Sequence, residues 1–86
     1  MNLYVLSDTQ TSQWMFIKYN GTASVVPVWT AVFMAEEYLA KKGYEGYEII
    51  EISMDKFRIY KQGMSRIGME LFLHLMDEMH VNPKGD

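Results

Sequence analysis

The 86-residue chain contains no cysteine, which excludes disulfide bonds and thiolate chemistry. A chain without cysteine is typical of a reducing compartment, so we expect a cytoplasmic protein. Long apolar runs are also missing, since no stretch approaches the roughly 18 residues that a membrane-spanning helix needs. The first residues, Met1 to Tyr4, lack the basic start and apolar core of a signal peptide. We therefore expect no membrane partner.

Histidine is scarce, and its spacing does not favour a metal site. The two histidines are His74 and His80, which would not share one face of a helix. A glycine-rich phosphate loop is also lacking, because neither Gly63 nor Gly68 is followed by Lys-Ser or Lys-Thr. We expect no bound metal and no cofactor.

Excess charge is small, and the candidate catalytic groups do not converge. Eight basic and 11 acidic residues give a net charge of −3, which disfavours nucleic acid as the main partner. Glu48 and Glu51 would point to opposite faces of a strand. Ser53 near Asp55 fits a helix cap better than a nucleophile. The sequence leaves enzymatic activity open but leans against it.

Apolar residues are plentiful. Hydrophobic residues make up 49% of the chain and aromatic residues 14%, as expected of a folded domain. The length suits one domain with a single core but no deep, closed active site. We expect residues 1–80 to form one α/β domain and residues 81–86 a polar tail.

Three strands are predicted before the first helix, at residues 3–6, 14–19 and 23–28. Residues 14–19 are apolar at both parities, so this strand should be covered on two faces. Asn20-Gly21 favours a two-residue type I′ hairpin between the second and third strands. Pro27 lacks an N–H, which predicts that the third strand lies at an edge or that Pro27 faces away from the ladder.

The third strand leads directly into a helix at residues 30–42. Thr30 is the predicted N-cap, and Gly43 supplies the position after the C-cap. At 100° per residue, one apolar face gathers Ala31, Met34, Ala35, Tyr38 and Leu39.

A fourth strand, Tyr47–Ile52, follows that helix. Parallel pairing with the third strand would complete a β-α-β unit. Ser53 or Asp55 then caps a second helix that runs to about Ile67. Its predicted inward stripe is Phe57, Tyr60, Met64 and Ile67.

The last segment is open to two interpretations. Leu71, Leu73 and Leu75 alternate strictly, which favours a strand over residues 69–76. Leucine, methionine and glutamate are also good helix formers, so the second helix could instead continue to Met79. We predict a small two-layer α/β (α+β) sandwich with element order β-β-β-α-β-α and a final strand. Its mixed sheet is covered by the helices.

Several short motifs carry a resemblance to a bacterial family: Val-Pro-Val-Trp at residues 26–29, Ala35, residues 46–48, residues 52–57 and Gly63-Met64. Over about its central half the chain resembles the family catalogued as domain of unknown function 2750. It resembles more loosely the N-terminal domain of SseB-type secretion proteins. Neither resemblance implies a known activity, catalytic residue or cofactor. The chain departs from the pattern at both ends.

Six residues are candidates for contact with a partner protein. Phe33 and Ile59 fall outside the apolar stripes of their helices, and Arg58 and Arg66 belong to a basic helix face. Trp29 and Tyr47 flank the first helix and complete the set.

We expect a non-enzymatic binding or regulatory domain, of the immunity or adaptor type, acting through a protein surface. The alternative is a small-molecule or enzymatic site at the carboxyl ends of the third and fourth strands, or at a homodimer interface, with Trp29 and Tyr47 as lining residues. A third possibility is a homodimer that pairs through the Pro27 strand or the last element.

Overall fold

The structure, a computed structural model, describes residues 2–76. It contains five strands and two helices, in the order β1 (Leu3–Asp8), β2 (Ile17–Asn20), β3 (Ala23–Val28), α1 (Val32–Lys42), β4 (Tyr47–Ile52), α2 (Met54–Arg66) and β5 (Glu70–Leu75). The predicted α+β class and element order are confirmed, including the final strand. The predicted tail at residues 81–86 and the end of the domain at residue 80 lie outside the described residues.

The strands form a mixed arrangement of two hydrogen-bonded ladders. Strand β1 pairs antiparallel with β4, while β3 lies between β2 and β5, antiparallel to the first and parallel to the second. The ladders meet where Tyr4 and Trp29 each donate an N–H to the other's carbonyl, at 2.9 and 3.0 Å. Strands β3, β4 and β5 therefore run in the same direction.

The predicted parallel pairing of β3 with β4 is wrong. Strand β4 pairs with β1 from Leu3 opposite Ile52 to Asp8 opposite Tyr47, and β5 takes the place beside β3. Four residues of β1 are buried and belong to both of its faces. Because water does not reach a strand that is buried on both faces, its main-chain groups need hydrogen-bond partners, and β4 supplies them along one edge.

Strand β3 is central, so the prediction of an edge is wrong, and the second alternative, that Pro27 faces away from the ladder, is confirmed. The main chain of Trp29 faces β1, and that of Pro27, two residues earlier, faces the same way. Pairing with β2 ends at Val25. The missing N–H therefore falls in the gap between β2 and the Tyr4–Trp29 bridge, where no ladder bond is lost.

The helices pack on opposite faces of β1 and β4. Phe57 and Met64 of α2 contact a core that includes Leu3, Val5 and Ile52. On the other face, α1 packs against a smaller core. Within residues 2–76, α2 packs on β5 and shares its core with Val26 and Val28 of β3, so the two predicted layers occur in that half. Strands β1 and β4 carry a helix on each face.

Several local predictions need correction. Strand β2 begins at Ile17, and all four of its residues are exposed rather than covered on two faces. The predicted type I′ turn requires positive φ at Asn20 and Gly21, and neither residue has it; the loop between β2 and β3 is Gly21-Thr22. Helix α1 is preceded by Ala31 as its N-cap, not Thr30. Ile67 follows α2 and is 74% exposed, so it does not join the inward stripe.

Candidate protein-binding surface

Trp29 is a core residue and is not accessible to a partner. It is 3% exposed and packs with Leu6 and Ala35 under α1. Trp29 is buried because it lies at the end of β3, where the chain turns and α1 folds back over β1 and β4. A partner would have to displace α1 to reach it, which corrects the expectation that Trp29 lines a binding surface.

Tyr47 is half-buried and closes a series of aromatic rings beneath α1. The ring centroids of Trp29 and Tyr38 lie 5.0 Å apart, those of Tyr38 and Tyr44 6.1 Å, and those of Tyr44 and Tyr47 6.3 Å. Desolvation by burial raises the pKa of Tyr38 above its usual 10.0, and Tyr44 adds to the shift through its charge when ionised and a side-chain hydrogen bond. These contacts give Tyr47 a structural role.

The other four predicted residues are exposed but do not form one surface. Phe33 is 63% exposed on α1, and Ile59 is 70% exposed on α2. Because these helices lie on opposite faces of the sheet, the two side chains do not meet. Arg58 and Arg66 lie with Ile59 on α2, and Arg58 is paired with Asp55 at 2.6 Å.

A different apolar surface lies on the sheet face opposite α2. Register places Ile17 beside Val25 and Val25 beside Phe72, so these three side chains form one row across β2, β3 and β5. Ile17 is 47% exposed and Phe72 49%; nearby Tyr19 is 74% exposed. No element within residues 2–76 packs over this row. We call Ile17, Tyr19, Val25 and Phe72 the apolar patch.

An open groove of about 470 Å³ runs along the apolar patch. Its lining residues are Tyr19, Asn20, Thr22, Ala23, Val25, Glu70 and Phe72. This surface was not predicted, because residues 14–19 are apolar at both parities and do not show which side chains face outward. Trp14 enters the core, whereas Ile17 and Tyr19 face outward.

Lys61 connects the apolar patch with the opposite side of β5. It starts from α2, donates to the carbonyl of Leu71 at 2.5 Å, and lies 4.7 Å from the centroid of the Phe72 ring. The ammonium group thus covers part of the outer edge of β5. Its stem accounts for the half-buried state of the side chain.

A second groove, of about 400 Å³, lies between α2 and the start of β5. It is lined by Arg58, Lys61, Gln62, Ser65 and Glu70. We call Arg58, Lys61, Gln62 and Ser65 the basic flank. Glu70 borders both grooves, so the basic flank and the apolar patch are neighbours separated by β5.

Within residues 2–76, no three histidine, aspartate or glutamate side chains gather to hold a metal ion. Neither helix in that part of the chain is long and apolar enough to cross a bilayer.

Comparison of the chain with models of protein families, with curated proteins and with solved structures found no match in any of the three. The resemblance to the domain of unknown function 2750 family therefore stays a prediction.

Proposed function

We propose that this chain is a non-catalytic protein-binding or regulatory domain, of the adaptor or immunity type, and that the apolar patch contacts its partner. The supporting observation is the row Ile17, Val25 and Phe72 on a sheet face that no described element covers. Exposed apolar clusters with polar surroundings are typical of protein interfaces. Covering them contributes roughly 25 cal/mol per Å² of apolar surface removed from water.

The shape of the surface favours a protein over a small molecule. Small-molecule sites are concave and bury most of their ligand, whereas the apolar patch lies on a sheet face beside an open groove. The residues expected to line a small-molecule site also lie apart. Trp29 lies opposite Tyr4 of β1, and Tyr47 lies opposite Asp8 of the same strand. Tyr4 and Asp8 are four residues apart, which at the rise of a strand separates the main chains of Trp29 and Tyr47 by roughly 13 Å.

Affinity capture from the source cell tests this proposal through matched variants. The wild type, an Ile17→Thr/Tyr19→Ser variant and an Ile59→Thr control serve as bait. The altered side chains are exposed, so each variant should fold, with stability changes within about 0.5 kcal/mol per site. We expect one partner that the wild type and the Ile59→Thr control capture in equal amounts and that the patch variant loses.

Light scattering of the purified complexes distinguishes the remaining outcomes. A defined heteromeric mass that disappears with the patch variant supports the proposal. If the wild type is a homodimer and the patch variant is a monomer, the apolar patch binds a second copy of this chain and not a different protein. Loss of the partner with Ile59→Thr alone would show that the partner binds α2, and it would overturn the assignment to the apolar patch.

The cytoplasmic location belongs to this proposal too, and fractionation of source cells tests it.

A further inference from the structure

The outer edge of β5 carries main-chain groups that point away from the sheet. The N–H of Glu70 donates to the main-chain carbonyl of Thr22 at 3.0 Å, so the main-chain groups of Glu70 face β3. Because alternate residues face the same way, the main-chain groups of Leu71 and Leu73 face outward. Lys61 binds the carbonyl of Leu71, and no strand within residues 2–76 pairs with this edge.

The surface beside this edge is positively charged on one side of the sheet. Helix α2 holds four of the chain's eight basic residues, Lys56, Arg58, Lys61 and Arg66, and one acidic residue, Asp55. Two of the basic residues line the groove between α2 and β5. The rest of the chain is therefore net acidic, and the excess positive charge is concentrated on this helix.

The other side of the same edge is apolar. The Phe72 side chain points away from α2 and belongs to the apolar patch. Successive side chains of a strand added beside β5 would point alternately to the basic flank and to the apolar patch. The edge thus offers two different environments to alternate residues of an incoming chain.

We propose that the outer edge of β5 binds an extended segment of a partner protein in which acidic and apolar residues alternate. The segment adds as a strand, with its acidic side chains at the basic flank and its apolar side chains on Phe72. This proposal rests on the proposed function and names the partner's chemistry. On binding, Lys61 releases the Leu71 carbonyl to a main-chain N–H and pairs with a carboxylate instead.

The charges beside β5 favour an acidic partner segment, but one of them, Glu70, repels it. Arg58 and Lys61 line the groove, and Glu70 lies at the start of β5 and borders it. An acidic residue of the partner is stabilised near Arg58 and repelled near Glu70. Removing the Glu70 charge should therefore tighten binding, whereas reversing the Arg58 charge should weaken it.

Synthetic peptides test the main-chain part of the proposal. The probe is a labelled ten-residue peptide of alternating glutamate and valine, measured by fluorescence anisotropy against the full chain. Two further peptides carry N-methyl groups on alternate residues, in registers that differ by one residue. Because only one register removes the donors that face β5, we expect one N-methylated peptide to bind like the probe and the other to lose binding. A lysine–valine peptide should not bind.

Protein variants test the side-chain part. Arg58→Glu should weaken binding of the probe roughly tenfold, since an attraction becomes a repulsion. Lys56→Glu is the matched control, because it makes the same charge change on α2 about 200° around the helix from Arg58. We expect Lys56→Glu to change the affinity by less than about twofold and Glu70→Gln to raise it.

Three results would overturn the inference. They are absence of saturable binding of the probe, equal binding of both N-methylated peptides, and equal loss with Lys56→Glu and Arg58→Glu. The last would indicate attraction by overall charge alone. None of these results contradicts the proposed function, provided that the Ile17→Thr/Tyr19→Ser variant still loses a cellular partner. A failure of the strand-addition proposal can therefore be distinguished from a failure of the proposed function.

Discussion

Tyr60 contributes both an aromatic ring and a hydrogen-bond acceptor to the core beneath α2. Its ring stacks on that of Trp14, with centroids 4.1 Å apart and planes 13° from parallel. Its hydroxyl oxygen accepts the main-chain N–H of Trp14 at 3.1 Å. Trp14 makes only an isolated bridge to Ser7, so the Tyr60 hydroxyl provides the acceptor that a longer ladder would supply.

Tyr60→Phe should lower the free energy of unfolding by about 1–2 kcal/mol, because it keeps the stack but leaves a part-buried N–H without its acceptor. Urea denaturation measures the change. Tyr19→Phe, at a position that is 74% exposed, removes the same atom and should stay within about 0.5 kcal/mol of the wild type. Equal stability of Tyr60→Phe and wild type would show that the hydrogen bond contributes nothing.

Tyr38 gives the protein a stability that depends on alkaline pH. Burial raises the pKa of Tyr38 in the folded state, with Tyr44 as a secondary cause. Above about pH 10, the unfolded chain releases this proton more readily than the folded one. The contribution is therefore fully present below pH 10 and is lost as the pH rises through the folded pKa.

We expect the unfolding free energy of the wild type to fall above about pH 10, and Tyr38→Phe to make the fall less steep. Tyr44→Phe should have a smaller effect in the same direction, since it removes only the secondary causes. Urea titrations at several pH values supply the slopes. A Tyr38→Phe slope as steep as that of the wild type would contradict the assignment.

At the scale of elements, the two helices begin in different ways. Ser53 caps α2, its hydroxyl oxygen accepting the N–H of Lys56 at 3.1 Å. Helix α1 begins after Ala31, which has the extended backbone of an N-cap but no side-chain acceptor. The first N–H groups of α1 therefore lack a contribution that those of α2 receive.

Substitutions at the two caps should have opposite signs. Ala31→Ser should raise the unfolding free energy by about 0.5–1 kcal/mol, because it supplies the missing acceptor. Ser53→Ala should lower it by about 1 kcal/mol. Ser65→Ala, within α2 and exposed, removes a hydroxyl without a cap and serves as the control. Thermal unfolding followed by circular dichroism measures all three, and a destabilising Ala31→Ser would refute the cap assignment.

Local signals predicted where most elements lie, but not how they pair. Gly43, with φ of 68°, ends α1 as expected, and the alternation of Leu71, Leu73 and Leu75 identified β5. Pairing of β4 with β1 could not be predicted, because it joins residues that are 39 to 49 positions apart and depends on what covers each face. The apolar patch was missed for the same reason. Ile17 is exposed because no element within residues 2–76 covers it, and the residues next to Ile17 in the sequence do not show this.

At the scale of the whole molecule, two cores share one sheet. Trp14 belongs to the core beneath α2 and Trp29 to the core beneath α1. Strand β1 contributes Leu3 and Val5 to the first and Leu6 to the second. Because β1 is the partner of β4 and also bonds to Trp29, neither core can open without exposing the other.

We therefore expect the two cores to unfold together. Labelling with 5-fluorotryptophan gives one ¹⁹F resonance for each core, and both should disappear at the same urea concentration. Leu71→Ala removes a side chain that is 0% exposed beneath α2. Leu71→Ala should lower the free energy of unfolding by about 2–5 kcal/mol. It should lower the urea midpoint of the distant Trp29 resonance as much as that of the Trp14 resonance. Leu6→Ala, beneath α1, is the reciprocal variant. If the Trp29 signal outlasts that of Trp14 in Leu71→Ala, then α1, β1 and β4 form a unit that folds alone, and the β1 contacts do not couple the cores.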